Sequence, residues 1–141
     1  MTVIAFDGKT LAADKRATCG GGIARTVTKI TRIGSYLVAV SGDWDAACEL
    51  RAWWEAGADP AAFPSSAREG DATLMLFGAG YIASYSSGPY PLPIEAERCA
   101  FGSGRNYAEA AMHLGFSAKR AVEVACHFQT DCGNGIDILK L

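Results

Sequence analysis

Residues 2–6 (TVIAF) are β-branched, apolar or aromatic, Asp7-Gly8-Lys9 is a turn signal, and residues 10–14 (TLAAD) resume an apolar run, which together predict a β-hairpin. The glycine-rich Cys19-Gly20-Gly21-Gly22 cannot sustain a strand well and predicts either a flexible loop or a wall where backbone passes close to a ligand. A second hairpin follows: residues 27–33 (VTKITRI) alternate β-branched and polar positions, Gly34-Ser35 turns, and residues 36–40 (YLVAV) form a buried strand. Ser41-Gly42-Asp43 then ends the strand. Asp43 is a good N-cap for a helix carrying Ala46, Ala47, Leu50, Trp53 and Trp54, which should stop near Gly57, before Asp59-Pro60.

Residues 58–71 (ADPAAFPSSAREGD), with prolines, serines and a glycine, predict a surface connection. Residues 72–77 (ATLMLF), 80–84 (GYIAS) and a short piece near 100–102 predict a further group of strands. The PYPLP stretch at 89–93 must be an edge or a loop, because proline cannot donate to a ladder. Residues 105–114 and 118–127 are alanine-rich and predict an antiparallel helical pair, with Gly115 ending the first helix and Ser117 capping the second. Gly133-Asn134-Gly135 turns the chain into a last strand at 136–141 (IDILKL). Strands, a long helix, strands, two helices and a final strand fit an α+β fold in four layers.

Length and charge narrow the class. A chain of 141 residues with 50% hydrophobic content suits one domain over 1–141, burying about 70% of the surface its unfolded form exposes. The net charge of −2, without a run of either sign, speaks against nucleic acid as a partner. The five cysteines show no CxxC or Cys/His ligand spacing, so neither a disulfide framework nor a metal site is expected. No charged-then-apolar leader and no apolar run approaching ~18 residues is present, so a cytoplasmic protein without membrane insertion is expected.

Three residues at or beyond strand edges carry candidate chemistry: Thr2, Asp14 and Lys29. A hydroxyl nucleophile needs a base, and at a chain terminus the α-amine, with a reference pKa near 8, supplies one without a histidine. Thr2 meets this condition only when Met1 is removed, as is expected ahead of a small second residue. An inward lysine must be paired or must shift its pKa, and Asp14 is a suitable partner for Lys29. A threonine opening a strand and lone charges on strands are also ordinary structural features.

Five segments in order resemble a known family. TVIAF…LAADKRAT, VTKI, LVAVSGDWDAA, FGSGRNYAEAA and AVEVAC ahead of a terminal strand are similar to proteasome β-subunits and the bacterial HslV protease, especially shorter phage and bacterial relatives. The resemblance implies an N-terminal nucleophile hydrolase: a four-layer αββα sandwich of two antiparallel sheets flanked by helices, needing no cofactor. It implies that Thr2 Oγ1 attacks a peptide carbonyl, with Asp14, Lys29 and Ser103 as its supporting residues and the Gly42 N–H facing the oxyanion. Ala17, Val27, Val40 and Trp44 would approach the pocket for the side chain preceding the scissile bond. There the Trp44 indole narrows the pocket or, equally, is a core tryptophan at a helix start. Thr18 and Gly20, in the segment around the glycines, would pair with an extended peptide by β-augmentation.

The chain departs from the pattern in two places. Its first hairpin is shorter, and aligning TVIAF directly puts Met1 in the nucleophile's place; Thr2 is preferred because methionine cannot attack a carbonyl. Near the C-terminus the family has an aspartate followed by a small hydroxyl residue and glycines. Here either Asp131 supplies the carboxylate, or Gln129 stands there and Cys132 replaces the hydroxyl. The implied function is a threonine-type endopeptidase acting on peptides or unfolded chains within a homo-oligomeric ring or double ring, with an ATPase or regulator as a further partner. The helix bearing Trp53 and Trp54 would be buried between subunits. The rival readings are an inactive structural subunit of the same fold and an amidohydrolase for small amides.

Overall fold

A computed structural model describes residues 2–18, 22 and 24–141. The first hairpin is β1 (Ile4–Phe6) and β2 (Thr10–Asp14), in register Ile4 to Ala13. Next come β3 (Arg16–Thr18) and β4 (Ala24–Thr26), which among the described residues form a separate two-stranded sheet. β5 (Ile30–Ile33) and β6 (Tyr36–Gly42) form the hairpin that leads into α1 (Trp44–Glu55). The Asp43 carboxylate accepts from the Ala46 N–H at 2.9 Å, so the N-cap expected from sequence is made.

Beyond α1 the chain is more ordered than its prolines suggest. A 3-10 turn (Pro60–Ala62) and α2 (Ser65–Glu69) fold back, and Phe63 and Ala67 are buried against α1. β7 (Ala72–Gly78), β8 (Tyr81–Tyr85) and the edge pair β9 (Leu92–Pro93) complete a five-stranded sheet in the order β5-β6-β7-β8-β9. The strand β10 (Cys99–Phe101) does not join β7 and β8, with which the sequence groups it. It crosses to the other sheet and pairs with β1, Ile4 opposite Phe101. Then α3 (Arg105–His113), α4 (Ala118–Phe128) and β11 (Ile136–Lys140) finish the chain, giving a four-stranded sheet in the order β10-β1-β2-β11.

Strand alternation divides the apolar side chains into three layers of core. Val3, Ala5 and Ala12 face α3 and α4, where alanines at 108, 111, 118, 121 and 125 permit close helix packing. Ile4, Phe6, Leu11 and Ala13 face the other way and meet Leu37, Ala39, Met75 and Phe77 of the five-stranded sheet. Val38, Val40, Leu74 and Leu76, on that sheet's far side, pack against α1 and α2. The order is therefore helices, sheet, sheet, helices. Phe77 is fully buried at the centre, its ring 4.9 Å from Phe6, and truncating it to alanine should cost about 3–5 kcal/mol.

This layering corrects one expectation. Trp53 is not presented to a neighbouring subunit: it is buried edge-on to Phe63 and Tyr85, and its indole N–H donates to the Asp59 carbonyl at 2.8 Å. Trp54 is half-buried against Tyr36. The 58–71 segment covers this face within the chain. Apart from Trp44 at the start of α1, the exposed large apolar side chains of the helices lie on or beside α3 and α4, at Tyr107, Leu114, Phe116 and Phe128.

Candidate active site

The ends of several elements converge at one end of the sandwich. Thr2 enters β1, Asp14 leaves β2, Lys29 enters β5 and Ser103 follows β10. Thr2, Asp14 and Lys29 are all buried despite their polarity. Burial of such groups is costly unless every one is partnered. Among the described residues no buried side-chain nitrogen or oxygen lacks a hydrogen-bond partner.

Asp14 is fully buried, and four donors converge on its carboxylate. Oδ1 accepts from the Val3 N–H at 3.0 Å and from Lys29 Nζ at 2.7 Å. Oδ2 accepts from the Gly133 N–H at 3.0 Å and the Arg16 N–H at 3.2 Å. Lys29 Nζ also donates to Thr2 Oγ1 at 3.1 Å. The aspartate thus aims the ammonium at the threonine hydroxyl, and the ammonium favours the alkoxide form of that hydroxyl.

The backbone of Thr2 is held as firmly as its side chain. Its N–H donates to Ser103 Oγ at 3.2 Å, while its carbonyl accepts from the Gly104 N–H at 3.1 Å and from Ser103 Oγ at 3.3 Å. Gly102 makes this approach possible. It has φ +91°, and a Cβ there would overlap the Thr2 carbonyl oxygen. Gly42, with φ +92°, is equally constrained, because a Cβ would overlap the Asp71 carbonyl where β6 meets β7.

Two cavities open on this cluster. One of about 300 Å³ is bounded by Thr2, Lys29 and Gly42, and its walls include Ala17, Thr18, Val27, Val40 and Trp44. Trp44 is 48% exposed and forms a rim, not part of the core. Gly20 lies outside the described residues, as does Cys19. The second cavity, of about 340 Å³, shares Thr2, Ser41 and Gly42 and then diverges toward Phe101, Ser103 and Arg105. A larger cavity of about 580 Å³ lies beside the β1–β2 and β7–β8 turns, between Phe6, Lys9, Ile82 and Ile94. It holds none of the clustered groups, so size alone does not mark the site.

Among solved structures, eukaryotic HslV from Trypanosoma brucei superposes with a TM-score of 0.79 over 99% of this chain and 98% of that one, at 19% identity. The fold is that of HslV. Thiobacillus denitrificans BPH is also similar, with a TM-score of 0.72 over 100% of this chain and 97% of its own, at 19% identity. The same protein in complex with epoxomicin gives 0.69 over 100% and 98%, again at 19% identity. No family model and no curated protein matches the sequence. At this identity the likeness to HslV speaks for the fold.

Within the HslV fold, the segment before β11 places its residues differently from one of the two registers open in sequence. The Asp131 carboxylate accepts from the Gln129 amide at 3.2 Å and, among the described residues, makes no hydrogen bond or ion pair with Thr2, Asp14, Lys29 or Ser103. Cys132 is the residue that reaches the cluster, buried, with Sγ 3.9 Å from Ser103 Oγ. Burial, and then the nearby Asp14 carboxylate, pushes its thiol pKa up, so it stands as a weakly polar neighbour and not as a thiolate.

Arg16 is a residue that sequence patterns do not single out. Its guanidinium donates to the Thr130 carbonyl at 2.6 Å and to Asn134 Oδ1 at 3.0 Å, pinning the segment whose Gly133 N–H serves Asp14. The partners lie more than a hundred positions away, and no local pattern reports them. Among the described residues no group of His, Cys, Asp and Glu is arranged to hold a metal ion, and no helix is long and apolar enough to cross a membrane.

Proposed function

We propose that the protein is a threonine-type peptidase of the HslV kind, with Thr2 as its nucleophile once Met1 is removed. The observation that carries the reading is the Lys29 ammonium shared between Thr2 Oγ1 at 3.1 Å and Asp14 Oδ1 at 2.7 Å in a buried site. Solvent-facing charges on strand edges have no reason to converge on a buried hydroxyl. The fold it shares with HslV, and with a protein solved in complex with epoxomicin, supports the same reading.

The mechanism follows from the two ends of Thr2. Removal of Met1 turns the Thr2 nitrogen, held at Ser103, into an amine able to accept the hydroxyl proton. Oγ1 then attacks the substrate carbonyl, with the Lys29 ammonium offsetting the negative charge as the proton leaves. The oxyanion that forms turns toward the Gly42 N–H. Collapse breaks the C–N bond, and the leaving amine takes the proton held on the Thr2 ammonium. The ester that remains on Oγ1 is cleaved by water, activated by the same amine, which returns the hydroxyl. Asp14 acts by positioning Lys29, and Ser103 by positioning the Thr2 amine.

Peptides or unfolded chains are the substrates in this reading. Copies of the chain assemble into a ring or double ring, with the exposed apolar residues of the α3–α4 face, such as Tyr107 and Phe128, covered between subunits. An ATPase or regulator would feed such a chamber. The deciding experiment is intact-mass measurement of the purified protein combined with hydrolysis of fluorogenic peptides, alone and with epoxomicin added. Loss of one methionine, peptide cleavage suppressed by epoxomicin, and loss of cleavage in Thr2→Ala would support the assignment. Retained Met1 and cleavage unaffected by Thr2→Ala would overturn it.

A further inference from the structure

The two cavities at Thr2 are lined by different hydrogen-bond partners of that residue. Thr2 Oγ1 is bonded to Lys29, which lines the first cavity, whereas the Thr2 nitrogen is bonded to Ser103, which lines the second. In an N-terminal nucleophile mechanism the nitrogen hands its proton to the leaving amine. The departing half of the substrate must therefore pass on the Ser103 side, through the cavity of about 340 Å³.

That cavity carries Arg105, two positions after Ser103 and the first residue of α3. Arg105 is exposed, and among the described residues its guanidinium makes no hydrogen bond or ion pair. The one anion on the cavity wall is Asp71. Its backbone carbonyl packs against Gly42, and among the described residues it makes no ion pair with Arg105. The nearby Ser103 hydroxyl is occupied with the Thr2 backbone, and Arg105 is the one cationic side chain among the residues lining this cavity.

We propose that this cavity is the subsite for the residue immediately following the scissile bond, and that Arg105 makes it select an acidic side chain there. The inference rests on the peptidase reading above. An acidic side chain pairs with the guanidinium, and a basic one is repelled by it. Because the pair is solvent-exposed, the preference is modest, about fivefold in kcat/KM for Glu over Lys, and added salt weakens it.

The test uses the full-length protein and internally quenched peptides identical up to the scissile bond, with Glu, Leu or Lys placed directly after it. A coumarin amide of the same acyl half, which has no amino acid on the leaving side, is run in parallel. The expected order is Glu above Leu above Lys, with the Glu-to-Lys ratio falling to near one in Arg105→Ala, inverting in Arg105→Glu, and shrinking in 0.5 M NaCl as an ion pair requires. A ratio near one in the unmodified enzyme, or a ratio that responds to Asp71→Asn and not to Arg105→Ala, would overturn the assignment. If neither the coumarin amide nor any peptide is cleaved, the peptidase reading itself fails and takes this subsite with it. Cleavage of the coumarin amide with no preference among the peptides removes the subsite alone.

Discussion

Lys29, the residue before β5, and Asp14, the last of β2, form a buried ion pair, Nζ to Oδ1 at 2.7 Å, and the two strands belong to different sheets. The pair both closes one end of the sandwich and aims an ammonium at Thr2. Removing one partner leaves a buried charge uncompensated, so Asp14→Asn and Lys29→Met should each lower stability by about 3–5 kcal/mol in urea denaturation. Asp14→Leu combined with Lys29→Met removes both charges but leaves the Val3, Arg16 and Gly133 N–H groups without their acceptor, so it should recover only the part of the loss that comes from the uncompensated charge. Peptide cleavage should stay absent in the double variant. Thr2→Ala deletes only one hydrogen bond of the cluster, so its cost should be about 1 kcal/mol, with cleavage abolished.

How much of this was legible in the chain depends on how local each signal is. The hairpin turn at Asp7-Gly8-Lys9, the Asp43 cap and the apolar runs of β6 and β7 are decided within a few residues, and they fold as read. The strands β3 and β4 carry no apolar alternation and are largely exposed, so nothing in their sequence marked them. The sheet assignment of β10 was likewise hidden, because three residues cannot say which edge they will join. In the candidate site, Thr2, Asp14, Lys29 and Ser103 were legible through family resemblance, and the structure draws them together. Choosing between Asp131 and Cys132 needed the tertiary path of the 129–135 segment, which is set by Arg16 from the far side of the chain.

Trp44 rims the first cavity at the start of α1, and the neighbouring wall residues Ala17, Val27 and Val40 are small or aliphatic. An indole there restricts the side chain that can enter. Trp44→Ala should widen acceptance from small aliphatic toward large aromatic residues before the scissile bond, read as kcat/KM ratios across coumarin amides. Because the indole is 48% exposed, the melting temperature should change little. A variant whose ratios match those of the parent would place the substrate side chain elsewhere.

Three of the cysteines should resist alkylation in the folded protein. Burial, reinforced by Glu109, pushes the Cys99 thiol up to about 12, and burial together with Asp14 pushes Cys126 up to about 11. For Cys126, a rise from 9.0 to about 11 leaves about a hundredfold less thiolate at neutral pH. Iodoacetamide at pH 7.5 should therefore leave Cys99, Cys126 and Cys132 largely unmodified by peptide mapping until denaturant is added. Peptide cleavage should survive the treatment, as a hydroxyl nucleophile requires. Rapid labelling of Cys132 accompanied by loss of cleavage would point to a thiol nucleophile instead.

Asp7 ties the far end of the molecule together and supplies the pH-dependent prediction. Its Oδ1 accepts from the Lys9 and Thr10 N–H groups at 3.1 and 2.9 Å, and Oδ2 accepts from the Ala118 N–H at 2.9 Å, joining the β1–β2 turn to the first residue of α4. Burial raises its pKa, but the hydrogen bonds from Ala118, Thr10 and Lys9 outweigh that, and the net shift is downward from 3.8. A depressed carboxylate stabilises the fold at every pH above its unfolded value and loses that contribution as pH falls below 3.8 through the folded value. Asp7→Asn should therefore cost about 1–2 kcal/mol at pH 7 and the same at pH 5, through loss of charge-assisted bonds to the turn and the helix. The difference between parent and variant should shrink at pH 3 and below, where the parent's own carboxyl takes up its proton. Urea titrations at the three pH values read this directly. A difference that stays constant down to pH 2 would mean that Asp7 acts through shape and not through charge.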